Sequence, residues 1–238
     1  MGPSALFETL LHGRVAEGLG GRWYGVYPAL VSDIQDPDGT GRVKVTLPWS
    51  PDTAGQRYEA WARLATLMGG NQRGSWFVPD VNDEVLVVFE GGDARRPYVI
   101  GGLWNGSDAP PESMDGSGHN YKKVLKSRNG VKVTLDDTDG QETFIAETPG
   151  GQKVTLKDGP GSVEIADSNG NSVKLETSGV TITASATLTI NASAVTINAS
   201  SLTHSGTATI SGALTVAASV TTPSVVAGSY TPGAGNIW

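Results

Sequence analysis

Cysteine is absent, which excludes a disulfide framework, a thiolate metal site and a cysteine nucleophile. Histidine is scarce: His12, His119 and His204 stand far apart with no His-x-His pair. No stretch approaches the roughly 18 apolar residues of a membrane span. Met1 to Leu11 carries no Lys or Arg ahead of an apolar run, unlike a secretory signal. Charge is sparse, at 17% of residues against roughly 25% in an ordinary soluble domain. The net charge of −7 removes the counterion-release term that draws Lys- and Arg-rich proteins to nucleic acid phosphates. The absence that says most is local. From Thr177 to Trp238 there is no Asp, Glu, Lys or Arg, whereas the surface of a soluble monomer is normally charge-mixed. Disorder does not account for it, because disordered segments favour charge and avoid the β-branched residues in which this stretch is rich. It is expected to be ordered, as β-structure.

What is present reads as an all-β chain in two parts. Residues 1–21 form an N-terminal arm in which Ala5, Leu6, Leu10 and Leu11 have roughly helical spacing, ended by Gly18 to Gly21. Residues 22–106 read as short strands: Tyr24–Ile34, Arg42–Leu47, Tyr58–Leu64, a shorter one at Ser75–Val78, Glu84–Phe89 and Tyr98–Leu103. Turn clusters such as Asp36-Pro37-Asp38-Gly39-Thr40-Gly41 and Glu90-Gly91-Gly92-Asp93 separate them. Five principal strands in so short a span suit a small barrel of the OB type. Residues 107–127, with Pro110-Pro111 and two glycines, read as a linker.

Residues 128–226 repeat a unit of a small residue or turn followed by apolar–any–apolar. Its inward positions are Val133 and Leu135, Val154 and Leu156, Val163 and Ile165, Val173 and Leu175, Val180 and Ile182, Leu188 and Ile190, and Val195 and Ile197. A fixed short period marks a quasi-one-dimensional stack. Burying a Val or Leu contributes about 1.5–3 kcal/mol, against about 1–2 kcal/mol of backbone entropy per ordered residue. A seven-residue unit is therefore unstable until other copies cover it. A single-chain solenoid needs about three strands per coil. Three chains wound about one axis need one short strand per chain per layer, and the brevity and strict alternation favour this intertwined trimeric β-helix. Strands about 4.8 Å apart over about ten layers give a needle on the order of 50 Å long. Its outward Thr, Ser, Ala and Asn are short and uncharged.

Several motifs in the first part occur together. Val26-Tyr27-Pro28-Ala29-Leu30-Val31, Asp36 to Val45, Pro48-Trp49, Trp61-Ala62-Arg63, Gly74 to Pro79 with Asp83-Glu84-Val85, and Pro97 to Gly106 resemble, in order, the OB domain of phage baseplate assembly protein V and VgrG-type spikes. The likeness covers about residues 22–108, and the second part matches in style only. The resemblance implies a homotrimeric, non-enzymatic central spike of a contractile injection machine. It would sit in the baseplate of a phage or phage-like particle, be assembled in the bacterial cytoplasm, and touch the target envelope transiently. About 20 residues precede the barrel, so the resemblance also implies a separate hub protein at the OB end. The gap from Ser107 to Lys126 is too short for the lysozyme domain some phage spikes insert there. A tip segment, residues 227–238, ends the repeat. Tyr230, Ile237 and Trp238 are the expected contacts either to a PAAR-like tip protein or to the chain's own axis.

No cofactor, and no catalytic residue, is expected. Asp136, Asp137 and Asp139 are close in sequence but sit in an Asp-Asp-Thr-Asp-Gly turn. They lack both the two-carboxylate cleft of a glycosidase and the full calcium-loop pattern. His204, if inward in a trimer, would form an axial ring of three nitrogens. Asn191-Ala192-Ser193 and Asn198-Ala199-Ser200 fit the N-glycosylation pattern but also follow the repeat. Trp23, Tyr24, Trp49, Trp61 and Trp76 are residue types on which OB folds stack bases. The net-acidic barrel offers no basic groove, so core and trimer contacts account for them better. A trimeric receptor-binding fibre and an OB-type nucleic-acid binder remain as alternative functions.

Overall fold

Alternation with period two dictates the first half. In Val26–Asp33 (β1), Ala29 and Val31 point inward; in Val43–Pro51 (β2), Val43, Val45 and Leu47 do so; in Glu84–Phe89 (β6), Val85, Val87 and Phe89 do so. With Arg57–Leu64 (β3) and Pro97–Gly102 (β7) these strands close a barrel in the order β1-β2-β3-β7-β6. All neighbours are antiparallel except β3 and β7, which run parallel. Ala62 and Val99 complete the buried centre. The computed structural model describes residues 22–51 and 57–229. The arm at 1–21 and the tip contacts Tyr230, Ile237 and Trp238 lie outside the described residues.

Two local differences from the sequence reading have physical causes. The first strand starts at Val26 rather than Tyr24, because Gly25 takes φ +113 and turns the chain into the barrel. Ser75–Val78 forms no strand. The pairing in that loop is instead Gly69–Gly70 (β4) with Arg73–Gly74 (β5). It is closed by Ser75 N donating to Met68 O at 3.0 Å, and Thr66 Oγ1 donating to Ser75 O at 2.7 Å ties the loop ends. No neighbouring strand reaches 75–78. Gly74, at φ +153, brings its Cα hydrogen against Met68 O, where a Cβ would fall 2.5 Å away.

The second half holds Lys122–Lys126 (β8), Lys132–Asp136 (β9), Thr143–Glu147 (β10), Lys153–Lys157 (β11), Ser162–Ala166 (β12), Ser172–Glu176 (β13) and Gly179–Thr183 (β14). They form one antiparallel meander in chain order. β8 falls inside the span read as linker; its Lys-Lys-Val-Leu-Lys sequence has no alternation and is held by pairing with β9. The expectation of one strand per chain per layer does not describe this region: residues 122–183 pair with their own chain, because the turns between strands are short enough to form hairpins. From 184 to 229 the chain has no strand and no backbone–backbone hydrogen bond within itself. From Leu188 on, the described residues separate as a second unit.

Candidate functional surface

The register of the meander sorts every side chain. One row across the seven strands is Lys123, Leu135, Phe144, Leu156, Val163, Leu175 and Val180. The next row on the same face is Leu125, Val133, Ala146, Val154, Ile165, Val173 and Ile182. Apart from Lys123 at its end, this face is wholly apolar. The opposite face carries the charges. Glu147 lies between Lys132 and Lys153, and Glu164 lies opposite Lys174. Opposite charges facing across strands favour this register, and a one-residue slip would turn every apolar side chain to the other face.

Burial in the single chain is inverted relative to a finished fold. On the charged face Thr134 is 6% exposed, while its apolar neighbour Leu135 is 46% exposed. Phe144, Leu156, Ile165, Leu175, Val180 and Ile182 are all exposed as well. Isolated exposed apolar residues need no explanation, but a contiguous two-row face does. Among the described residues nothing covers this surface. The chain from 184 to 229 carries the same deficit in a different form. Leu188, Ile190, Val195 and Ile197 are exposed, and the backbone of this stretch, rich in β-branched residues, has no backbone partner among the described residues. Backbone N–H and C=O groups removed from water are almost always paired, so burying those side chains would have to bring backbone partners with it.

All ten of the sequence-derived inward residues up to Ile182 therefore share one face. The four beyond it share only their exposure. The sequence reading missed Leu125, Phe144 and Ala146. Phe144-Ile145-Ala146 is a continuous apolar run that does not reveal which residues face which way, and only pairing with Leu135 and Val133 on β9 settles it. The face also departs from a purely Val, Leu and Ile lining, because Phe144 and Ala146 occupy it.

The turns are held by carboxylates. Asp167 accepts from the backbone N–H groups of Asn169 and Asn171, both at 2.9 Å, and from the Asn171 side-chain amide at 2.8 Å. The Asn171 amide leads the interactions that hold Asp167 down to about 2. Asn171 Oδ1 in turn accepts from Ser185 N at 2.8 Å, fastening the chain where it leaves β14. In the barrel, Asp36 accepts from Thr40 N, Arg42 N and the Arg42 guanidinium, the last at 2.7 Å. The guanidinium first of all holds the Asp36 carboxyl well below the usual range. Asp136 accepts from Thr138 Oγ1 at 2.6 Å, and Asp137 accepts from Lys123 Nζ at 2.6 Å. These carboxylates build turns and ion pairs.

The remaining candidates separate as well. Trp23 is buried in an aromatic cluster with Tyr27, Trp49, Tyr58 and Phe89, at centroid distances of 5.3 to 6.2 Å. Trp49 Nε1 donates to Pro28 O at 3.0 Å, and Tyr58 donates its hydroxyl to Ala94 O. Trp61 lies under the cations of Arg42 and Lys44, leaving Tyr24 and Trp76 exposed. His119 stacks on Tyr121, and His204 is exposed in the second unit. Among the described residues no group of three or more His, Cys, Asp and Glu side chains is placed to hold a metal ion.

Two family models match the chain. The type VI secretion system/phage-baseplate injector OB domain matches residues 27–104, and the phage baseplate V C-terminal trimerisation domain matches residues 142–215. The first coincides with the barrel. The second runs from β10 through the meander into the stretch without internal pairing. Among curated proteins, the type VI secretion system spike protein VgrG3 of Vibrio cholerae is 33% identical over 114 residues, 45% of this chain and 11% of that one. The actin cross-linking toxin VgrG1 of Vibrio cholerae is 31% identical over 126 residues, 48% of this chain and 11% of that one. The spike protein VgrG1b of Pseudomonas aeruginosa is 25% identical over 127 residues, 50% of this chain and 17% of that one. The matched part of this chain thus spans less than a fifth of the length of these relatives.

Proposed function

The chain belongs to the phage-baseplate V and type VI spike family, with its injector OB domain and its trimerisation domain both in place, and on that premise we propose that three copies assemble into the central spike of a contractile injection particle. The observation that carries this reading is the two-row apolar face, most of whose large side chains are exposed in one chain, followed by a stretch rich in β-branched residues that has no backbone partner among the described residues. Three sheets turned inward around an axis cover that face, and three chains winding past one another supply the missing backbone partners from 184 onward. The barrel would be the collar that seats on a hub protein, and the end beyond 226 would meet a small tip protein.

A piercing role is supported by the charge boundary. Glu176 is the last charged residue before the C-terminal Trp238. Carrying a charged side chain into a bilayer centre costs about 2.5–3.5 kcal/mol on insertion scales, and the terminal part of this chain carries none. Force from sheath contraction would then act through a rod whose leading part is short-chained and uncharged. No reaction is proposed for the chain: Asp136 is held in its turn by Thr138 and Asp137 is paired with Lys123.

The reading is tested by locating the protein in purified particles by cryo-electron microscopy. The expected result is three copies on the particle axis at the end of the tube. Peripheral density would contradict the spike and favour a receptor-binding fibre.

A further inference from the structure

Asparagine followed by glycine is a chemically unstable pair. The glycine nitrogen can attack the asparagine's carboxamide carbon, and glycine, with no Cβ, lets the two approach. The chain holds three such pairs: Asn105-Gly106, Asn129-Gly130 and Asn169-Gly170. The fold treats them differently. Asn105 is locked by its side chain, whose amide donates to Glu84 at 2.8 Å and to Asp108 at 3.1 Å. Its Oδ1 accepts from the backbone N–H groups of Ser107 and Asp108, both at 2.8 Å. At Asn129 the attacking nitrogen is engaged, since Gly130 N donates to Ser127 O at 2.9 Å.

Neither protection reaches Asn169. It and Gly170 are exposed in the turn between β12 and β13. Gly170 N has no hydrogen-bond partner among the described residues. The Asn169 side chain makes one long hydrogen bond there, from its amide to Asp167 Oδ2 at 3.3 Å. We propose that Asn169 is a site of spontaneous deamidation, with water as the co-reactant. Gly170 N loses its proton and bonds to Asn169 Cγ. The Cγ–Nδ2 bond breaks, and the amide nitrogen takes up a proton and leaves as ammonia, closing a succinimide ring. Water then opens the ring. Breaking the new Cγ–N bond gives aspartate. Breaking the original peptide bond instead gives isoaspartate, with the main chain rerouted through the side chain. Either product puts a second carboxylate beside Asp167, in the turn whose Asn171 Oδ1 receives Ser185 N.

The full-length protein is aged at neutral to mildly alkaline pH, native and in denaturant, and digested with trypsin. Lys and Arg fall between the three pairs, so each is read on its own peptide. Mass reports the exchange of NH2 for OH, and electron-transfer fragmentation locates it and separates aspartate from isoaspartate. Asn105 and Asn129 are expected to slow at least about tenfold on folding, the equivalent of roughly one hydrogen bond broken before attack, and Asn169 less than about threefold. The rate at Asn169 is expected to rise with pH, because the attacking nitrogen must first lose its proton. Slowing at Asn169 as great as at Asn105 would overturn the proposal, by showing that the turn is closed to attack. A product at Asn171 in place of Asn169 would overturn it too. Asn169→Gln, whose longer side chain closes a larger and slower-forming ring, is expected to leave its peptide unmodified. Continued mass gain on that peptide would contradict the assignment.

Discussion

Ile182→Asp is expected to abolish assembly while leaving the single chain's fold nearly unchanged. In one chain Ile182 is 58% exposed, so a carboxylate there stays in water at little expense. It stands beside Val173 of the neighbouring strand, on the face that the proposed trimer would turn to the axis, where three carboxyls would meet. Even in neutral form, a buried polar group without a partner costs roughly 2–7 kcal/mol, and an ionised one far more. Thr181→Asp is the matched control. It sits next in sequence but on the opposite face, in a row with Lys174, and is expected to assemble normally. Size-exclusion chromatography with light scattering distinguishes the two. An Ile182→Asp protein that remains trimeric would show that this face does not point inward.

Trp23→Ala is expected to unfold the barrel without separating the chains. Trp23 touches Tyr27, Trp49, Tyr58 and Phe89, and truncating such a residue costs about 3–5 kcal/mol. Small domains hold only about 5–15 kcal/mol in total, and each kcal/mol moves the melting point of a domain this size by roughly 4–8 °C. Calorimetry is therefore expected to show the barrel transition lowered by more than about 10 °C. The high-temperature transition of the second half should stay in place, because that half is held by a separate apolar face. A single transition at which barrel and assembly are lost together would contradict this independence.

The two mutations also mark how far the sequence alone could reach. Alternation placed Val43, Val45 and Leu47 in the barrel and Val173, Leu175, Val180 and Ile182 in the repeat, because period two is a property of neighbouring residues. It could not place Phe144 and Ala146, where apolar residues run together, nor β8, whose lysines hide a strand that exists only because β9 pairs with it. Likewise Ser75–Val78 looked extended, but no neighbour reaches it. Partnership across chains is the information that a sequence pattern carries least well. Leu188, Ile190, Val195 and Ile197 show their alternation openly and their partners not at all.

The absolute mass of the native protein, measured by light scattering before and after mild SDS without boiling, tests the central claim most directly. Three chains of 24.7 kDa that stay together in SDS are the predicted result, since the strands beyond 184 would then be interwound and could separate only by unthreading. A particle of 24.7 kDa would mean that the apolar face and the unpaired stretch are satisfied within one chain, and the spike assembly would be contradicted.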